Sequence, residues 1–414
     1  MARNEFLDLL KSEIKRIDDS HTAKRGEMII DGYTSDANPK AIIGSKKYTV
    51  FNSNDYLGLR HHPKLKQTEA EASEKFGTGP GAVRFISGTL RVHKELESEI
   101  AKFHSRDDAI VFSSAFAANL ATLFCLTKGQ SKVSLVNSDV LVVSDELNHR
   151  SIIDGIRLAN LAPEQKAIFK HLNYGDLDRV LSENVGKFAR VVLVTDGVFS
   201  MLGELQNIAK INTIIKKYDA KYSQGILLVV DDCHGVGACG KTGRGCEEIF
   251  NSKADLLIGT LGKAFGADGG YVTGSQVLID YLRESAATYI YSNSISPGTA
   301  GAALAAITLL KHTEGKALLK KLEENVTYFK EKVKVAHLEL AADSAHPIQP
   351  LLIGDGERTK KLKSAMFKEG FLITNINYPI VPQKRDEIRV QISATHTFEE
   401  IDLLVKYFKT QFGK

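Results

Sequence analysis

Apolar positions follow two different periods along the chain. Over Met1–Ser20 they recur at helical spacing, with Phe6, Leu10, Ile14 and Ile17 set between charges. That spacing predicts an amphipathic first helix. A mixed segment continues to about Lys47. From Ala109 to Ile258 short, continuous apolar runs alternate with helical patterns. The strand candidates are Ala109–Phe112, Val140–Ser144, Val191–Thr195, Ile226–Val230 and Leu256–Ile258. Strands alternating with helices predict an α/β fold, a mostly parallel sheet with helices on both faces. After about Ser296 come a helix and a smaller α+β segment, with strand candidates Ile348–Ile353 and Glu387–Ile392. The expected organisation is an N-terminal segment over 1–60, a large domain over 61–295 and a small C-terminal domain over 296–414. The weakly polar stretch Gly298–Leu310 is too short to span a bilayer and reads as a buried helix.

In sheets of this kind, ligands sit beyond the carboxyl ends of the strands. The notable side chains fall there: Ser113–Phe116, His149, Asp196–Ser200, Asp231–His234 and Lys263. Lys263 lies in Gly259-Thr260-Leu261-Gly262-Lys263-Ala264-Phe265-Gly266, directly after an apolar run. Desolvation there would favour the neutral amine, the form that attacks a carbonyl. A surface lysine in a glycine-rich turn would show the same octet. Asp231 ends a strand candidate and could hold a proton on a cofactor's ring nitrogen, or merely cap a turn; Asp232 competes for either role. Val111–Asn119 runs from a strand into a helix, and helix N-termini suit phosphates.

Composition narrows the field. The 414 residues are 43% hydrophobic and 25% charged, as in an ordinary globular protein. The net charge of +4 is dispersed and gives no basis for nucleic-acid binding. Cys125, Cys233, Cys239 and Cys246 lack the close pairs of structural zinc sites, so no metal is expected. Reduced thiols in the cytoplasm fit them best. The N-terminus has no uninterrupted apolar core of a signal peptide.

Several of these stretches together resemble the α-oxoamine synthase family, from about Phe51 to Thr397. They are the lysine octet, Val229–Gly237 with its Asp-x-x-His pattern, Ser144–Ser151, Thr195–Met201, Gly77–Thr89, Asn52–Leu59 and Ile388–Thr397. The resemblance implies a fold type I pyridoxal-phosphate transferase that condenses a small α-amino acid with an acyl-CoA. The likeness is greatest to the glycine C-acetyltransferase branch. It implies that Lys263 carries pyridoxal 5'-phosphate as a Schiff base, and that Asp231 faces the ring nitrogen. His234 and Ser200 would lie by the phenolic oxygen and His149 would stack on the ring. Ser114, Ala115, Phe116 and Thr260 would serve the phosphate, with Phe116 also able to pack on the ring. Asn54 and Arg389 would bind the amino acid, Arg389 through its carboxylate. Ser292 and Asn293 would reach the neighbouring subunit's phosphate, which implies a homodimer with a shared site. The chain departs from the family pattern at Leu202, where an acidic residue is usual, at Cys233, and at Gly235, where alanine is frequent. A decarboxylating family member, or a pyridoxal-phosphate aldolase or aminotransferase, remains an alternative.

Overall fold

The computed structural model describes residues 2–20, 23–131, 133–378 and 380–412. Met1 and Lys414, the outer limits of the segments expected from sequence, lie outside the described residues. The chain forms two compact units, Met1–Thr49 and Val50–Lys414.

In the first unit, α1 spans Ala2–Asp19 at the expected place. Its apolar residues Phe6, Leu10 and Ile14 are exposed. Three short antiparallel strands follow: β1 (Gly32–Tyr33), β2 (Ala41–Ile43) and β3 (Lys46–Val50).

The second unit begins with α2 (Pro63–Phe76) and α3 (Arg91–His104). The β-α alternation then runs β4 (Asp108–Phe112), α4 (Ala115–Lys128), β5 (Val140–Asp145), α5 (Arg150–Leu158) and β6 (Lys166–Phe169). It continues with α6 (Tyr174–Glu183), β7 (Arg190–Asp196), α7 (Ile208–Tyr218) and β8 (Ile226–Asp231), then α8 (Cys246–Ile249), β9 (Leu256–Thr260), β10 (Gly270–Gly274) and α9 (Gln276–Ser285). The helices α10 (Ala287–Ile290), α11 (Pro297–Leu310) and α12 (Thr313–Val335) lead to β11 (Ile348–Leu352). The last elements are α13 (Gly356–Lys368), β12 (Phe371–Leu372), β13 (Thr374–Ile376), β14 (Glu387–Gln391) and α14 (Phe398–Phe412).

Seven strands form one sheet in the order β4-β10-β9-β8-β7-β5-β6. Neighbours from β9 through β6 are parallel, and β10 is antiparallel to both β9 and β4. Six strands therefore point one way, and their carboxyl ends share one edge. The runs Val140–Asp145 and Arg190–Asp196 are buried at every position, as strands covered on both faces must be. Alternate residues serve opposite faces: Val191 and Leu193 join one core cluster, Val192 and Val194 the other. The sequence missed β6 and β10. The first has two exposed positions among four residues, and the second is bounded by glycines. The run expected to be a buried helix is α11, apolar nearly all round.

A second sheet, ordered β11-β14-β13 and antiparallel, is covered by a separate core that includes Phe329, Ile388, Val390, Leu404 and Phe408. β14 is its central strand. Among the described residues no helix is long and apolar enough to cross a membrane.

Candidate active site

The carboxyl ends of β4, β5, β7, β8 and β9 surround a cavity of about 250 Å³. Its wall includes Ser114, Ala115 and Phe116 after β4, His149 after β5, Asp196 and Ser200 at and after β7, Asp231 and His234 at and after β8, and Thr260 and Lys263 at and after β9. Nine residues expected from sequence thus meet around one cavity: Ser114, Ala115, Phe116, His149, Ser200, Asp231, His234, Thr260 and Lys263; Arg389 is outside its wall and bonds the backbone of Ser200.

Ser114 caps α4, its hydroxyl accepting from Ala117 N–H at 3.1 Å. That leaves the first-turn N–H groups of Ala115 and Phe116 without intrahelical acceptors. Gly270 lets the sheet come close to this turn: a Cβ there would stand 2.1 Å from Ala115 N. Thr260 Oγ1 donates to Gly269 O at 3.1 Å and accepts from Gly262 N–H at 3.2 Å, fixing the turn that carries Lys263.

Asp231 and Asp232 are adjacent and both buried, yet their surroundings differ. Asp231 lines the cavity; Oδ1 accepts from Cys233 N–H at 3.1 Å and Oδ2 from Asn119 Nδ2 at 2.5 Å. Asp232 turns away into a cradle of glycines. A Cβ on Gly197, Gly235 or Gly245 would meet its carboxyl group within 2.4 Å. Its Oδ2 accepts from Cys246 N–H at 2.7 Å, Oδ1 has no partner, and burial pushes its pKa up to about 8. Of the two aspartates, only Asp231 lines the cavity. The cradle also explains Gly235, where an alanine methyl would collide with Asp232.

His149 caps α5. Its backbone N–H donates to Asp196 Oδ2 at 3.1 Å, and its ring meets Phe116 edge to face, with centroids 6.5 Å apart. Desolvation lowers its pKa, with Asp231 opposing and Lys263 reinforcing that shift. His234 Nδ1 bonds the Tyr56 hydroxyl at 2.8 Å. Burial, then the charges of Lys263 and Arg389, hold His234 neutral, well below an ordinary imidazole. Asp196 is buried with one unpartnered oxygen, and burial next to Asp231 raises its pKa far above the usual carboxyl range.

Arg389 is half-buried on the central strand of the small sheet, so it is no edge-strand arginine. Its Nε donates to Ser200 O at 2.7 Å, and the Gln391 amide oxygen, in the orientation that satisfies both groups, accepts from its Nη1 at 3.0 Å. The Asn54 and Gln391 amides pair at 2.5 Å. Asn54 and Arg389 are therefore joined through Gln391. Ser292 and Asn293 are exposed and not part of the cavity wall.

Ser200 lies in a loop closed by the Val198–Leu205 bridge. His171 clamps this loop, with Nδ1 on Asp145 Oδ1 at 2.9 Å and Nε2 on Glu204 Oε2 at 3.1 Å. Burial opposes protonation of His171, but the two carboxylates outweigh it and raise its pKa to about 9.

Sequence reasoning missed Asn119, Ser151, Tyr56 and Gln391; Asp196 was noted at its strand end but given no role. Asn119 is the one amide in the mostly apolar α4.

The chain matches the family "Aminotransferase class I and II" over residues 46–408 and belongs to it. Within that class it belongs to the α-oxoamine synthases. An 8-amino-7-oxononanoate synthase from Petrotoga mobilis is 37% identical over 414 residues, 99% of this chain and 98% of that one. The mitochondrial 2-amino-3-ketobutyrate coenzyme A ligase of Homo sapiens is also 37% identical, over 98% of this chain and 92% of that one. Serine palmitoyltransferase from S. paucimobilis, solved with bound PLP and myriocin, has a TM-score of 0.85 at 25% identity. The match covers 98% of this chain and 97% of that one. The fold type I architecture, the enzyme class and the pyridoxal-phosphate dependence expected from sequence all hold.

The residues present fit that cofactor. The cavity offers helix N–H groups and hydroxyls at one side, an ionisable carboxylate at another, a flanking imidazole and a lysine.

Proposed function

We propose that the protein is a C-acyltransferase that condenses a small α-amino acid with an acyl-CoA, giving an α-amino ketone and free CoA. The observation that carries this reading is the joint wall of Lys263, Asp231, His149 and His234, with Arg389 bonded to the backbone of Ser200. When bound, pyridoxal phosphate supplies an aldehyde for the amino nitrogen and a ring that accepts the electron pair released at Cα. Lys263 Nζ would hold the aldehyde and is the amine available to take a proton from the substrate Cα. Asp231 would face the ring nitrogen and hold its proton. His149 would flank the ring, and His234 and Ser200 would serve its phenolic oxygen. Ser114, Ala115, Phe116 and Thr260 would hold the phosphate. Arg389, with Asn54, orients the substrate carboxylate, and that orientation decides which Cα bond is broken.

Glycine with acetyl-CoA is the proposed substrate pair, from the likeness noted in the sequence. The decarboxylating alternative, an 8-amino-7-oxononanoate synthase type, draws on relatives of equal identity. A panel of amino acids and acyl-CoAs, read by CoA release and product mass, tests both. One pair should release CoA, and the product mass reports whether the carboxylate stays. A cofactor-loaded enzyme that releases CoA with no pair would overturn the proposal.

The active unit is proposed to be a cytoplasmic homodimer in which Ser292 and Asn293 serve the partner's phosphate. Its chain divides at 1–60, 61–295 and 296–414. Exposure of Ser292 and Asn293 outside the cavity, and four free buried thiols, support this. Mixing Lys263→Ala and Asn293→Ala chains should restore activity above either parent. No recovery after confirmed subunit exchange would refute the shared site.

A further inference from the structure

Asn119 is fully buried on α4, and both hydrogens of its amide nitrogen are engaged. One reaches Asp231 Oδ2 at 2.5 Å, the other Ser151 Oγ at 2.9 Å. Asp231 fixes this orientation, because a reversed amide would set its oxygen against the carboxylate. Ser151 is also fully buried, and its hydroxyl lies 2.7 Å from His149 Nδ1.

A second contact settles the direction of that last bond. The backbone N–H of Ser151 reaches the same Nδ1 at 3.2 Å. An N–H can approach only a lone pair, so Nδ1 carries no proton and the ring proton sits on Nε2. The Ser151 hydroxyl must then donate. Every hydrogen in this chain of bonds points away from Asn119, toward a carboxylate at one end and an imidazole at the other. The arrangement has a cost, since Asn119 Oδ1 is buried with no partner. An apolar residue at 119 would fill the helix interior without that cost.

We propose that Asn119 is a positioning residue for both flanks of the cavity. It holds the Asp231 carboxyl group directly and, with the Ser151 hydroxyl and backbone N–H, holds His149 as the Nε2–H tautomer. The proposal rests on the reading that the cofactor occupies this cavity between Asp231 and His149. It divides the proton chemistry. His149 offers a proton from Nε2, and Lys263 is left as the group that removes one.

The test uses holoenzyme labelled with ¹⁵N in its histidine rings, with the His149 signals identified by their loss in His149→Gln. Wild type and Ser151→Thr should show one Nε2–H tautomer. In Asn119→Ala and Ser151→Ala the two ring shifts should move part of the way toward their average, because the backbone N–H of Ser151 still favours a lone pair at Nδ1. Cα-proton exchange of bound amino acid should fall roughly 10- to 100-fold in Asn119→Ala, the range for losing a hydrogen bond to a charged group. Wild-type spectra and exchange rate in Asn119→Ala would overturn the proposal. If that variant does not fold, the Ser151→Ala and Ser151→Thr pair decides, and identical spectra in the two overturn it. A wild-type protein that carries no pyridoxal phosphate on Lys263 fails the functional reading instead. The ring spectrum of that cofactor-free chain still reports the tautomer.

Discussion

The cavity has two sides built on different terms. On the side made by the seven-stranded sheet, three polar groups are held by hydrogen bonds within the sheet and its loops. Asp231 has both oxygens engaged, His149 is tied at its backbone and at Nδ1, and Thr260 is locked across its own turn. On the side made by the three-stranded sheet, Arg389 is anchored to a loop carbonyl and to one amide. The loop in turn depends on the His171 clamp. The difference teaches where variation can enter. Steps common to every substrate draw on the fixed side. The side proposed to meet the substrate carboxylate is tied to the loop that carries Ser200.

The largest expected effect lies on the fixed side. Lys263→Ala should lose roughly 10,000-fold or more in turnover, since it removes the group that moves the proton. Borohydride reduction and peptide mapping of the wild type should label Lys263 alone; a label on another lysine would break the comparison at its centre. Next comes the adjacent pair of aspartates. Asp231→Asn should keep the cofactor and slow Cα-proton exchange roughly 100- to 10,000-fold, because a neutral amide cannot hold the ring proton. Asp232→Asn should change exchange by less than about threefold and stability by less than about 1 kcal/mol, since the group is already largely protonated at neutral pH. Equal loss in both variants would erase the distinction drawn between them.

The adaptable side predicts a pH dependence. His171 has its pKa raised to about 9 in the folded protein, from an ordinary value of 6.5. Its stabilisation is therefore complete below about pH 6.5 and is lost as pH rises through 9, amounting to about 3 kcal/mol. Denaturant titrations at pH 6, 7.5 and 9.5 should show this decline, and His171→Gln should flatten it. An unchanged slope in the variant would remove His171 from the account. The smallest effect is Arg389→Lys, which should weaken amino-acid binding by roughly 1–3 kcal/mol and leave acyl-CoA binding intact. Titrating the cofactor's absorbance with glycine, alanine and serine measures it. An unchanged dissociation constant for all three would take Arg389 out of the site.

The same contrast explains what could be read from the sequence. Val140–Ser144, Val191–Thr195 and Ile226–Val230 were legible as strands because continuous apolar runs fit a sheet covered on both faces. Lys263, Asp231 and His149 were legible because they sit just past such runs. Asn119 and Ser151 were not, because their partners lie far along the chain and no local period marks a bond across such a gap. Arg389 could be found only through family likeness. Its local pattern is that of any polar residue on a strand, and its central place between β11 and β13 exists only in three dimensions. Strand β10 escaped because glycines at both ends of Gly270–Gly274 look like turn signals.

That inconspicuous strand governs the order in which the molecule can be made. Among the described residues, β4 joins the sheet only through β10, where Gly270 lies opposite Phe112 on one side and Thr260 on the other. Residues 108–112 leave the ribosome long before residues 270–274, and sequence-distant pairing of this kind is slow to form. A nascent chain that has just passed Lys263 already contains Ser114, His149, Asp231 and Lys263. The strand β4, which leads into α4, still has no place in the sheet. Until Gly270–Gly274 is synthesised and inserted, the strand leading into α4 remains an unpaired edge, open to capture by chaperones or by other chains.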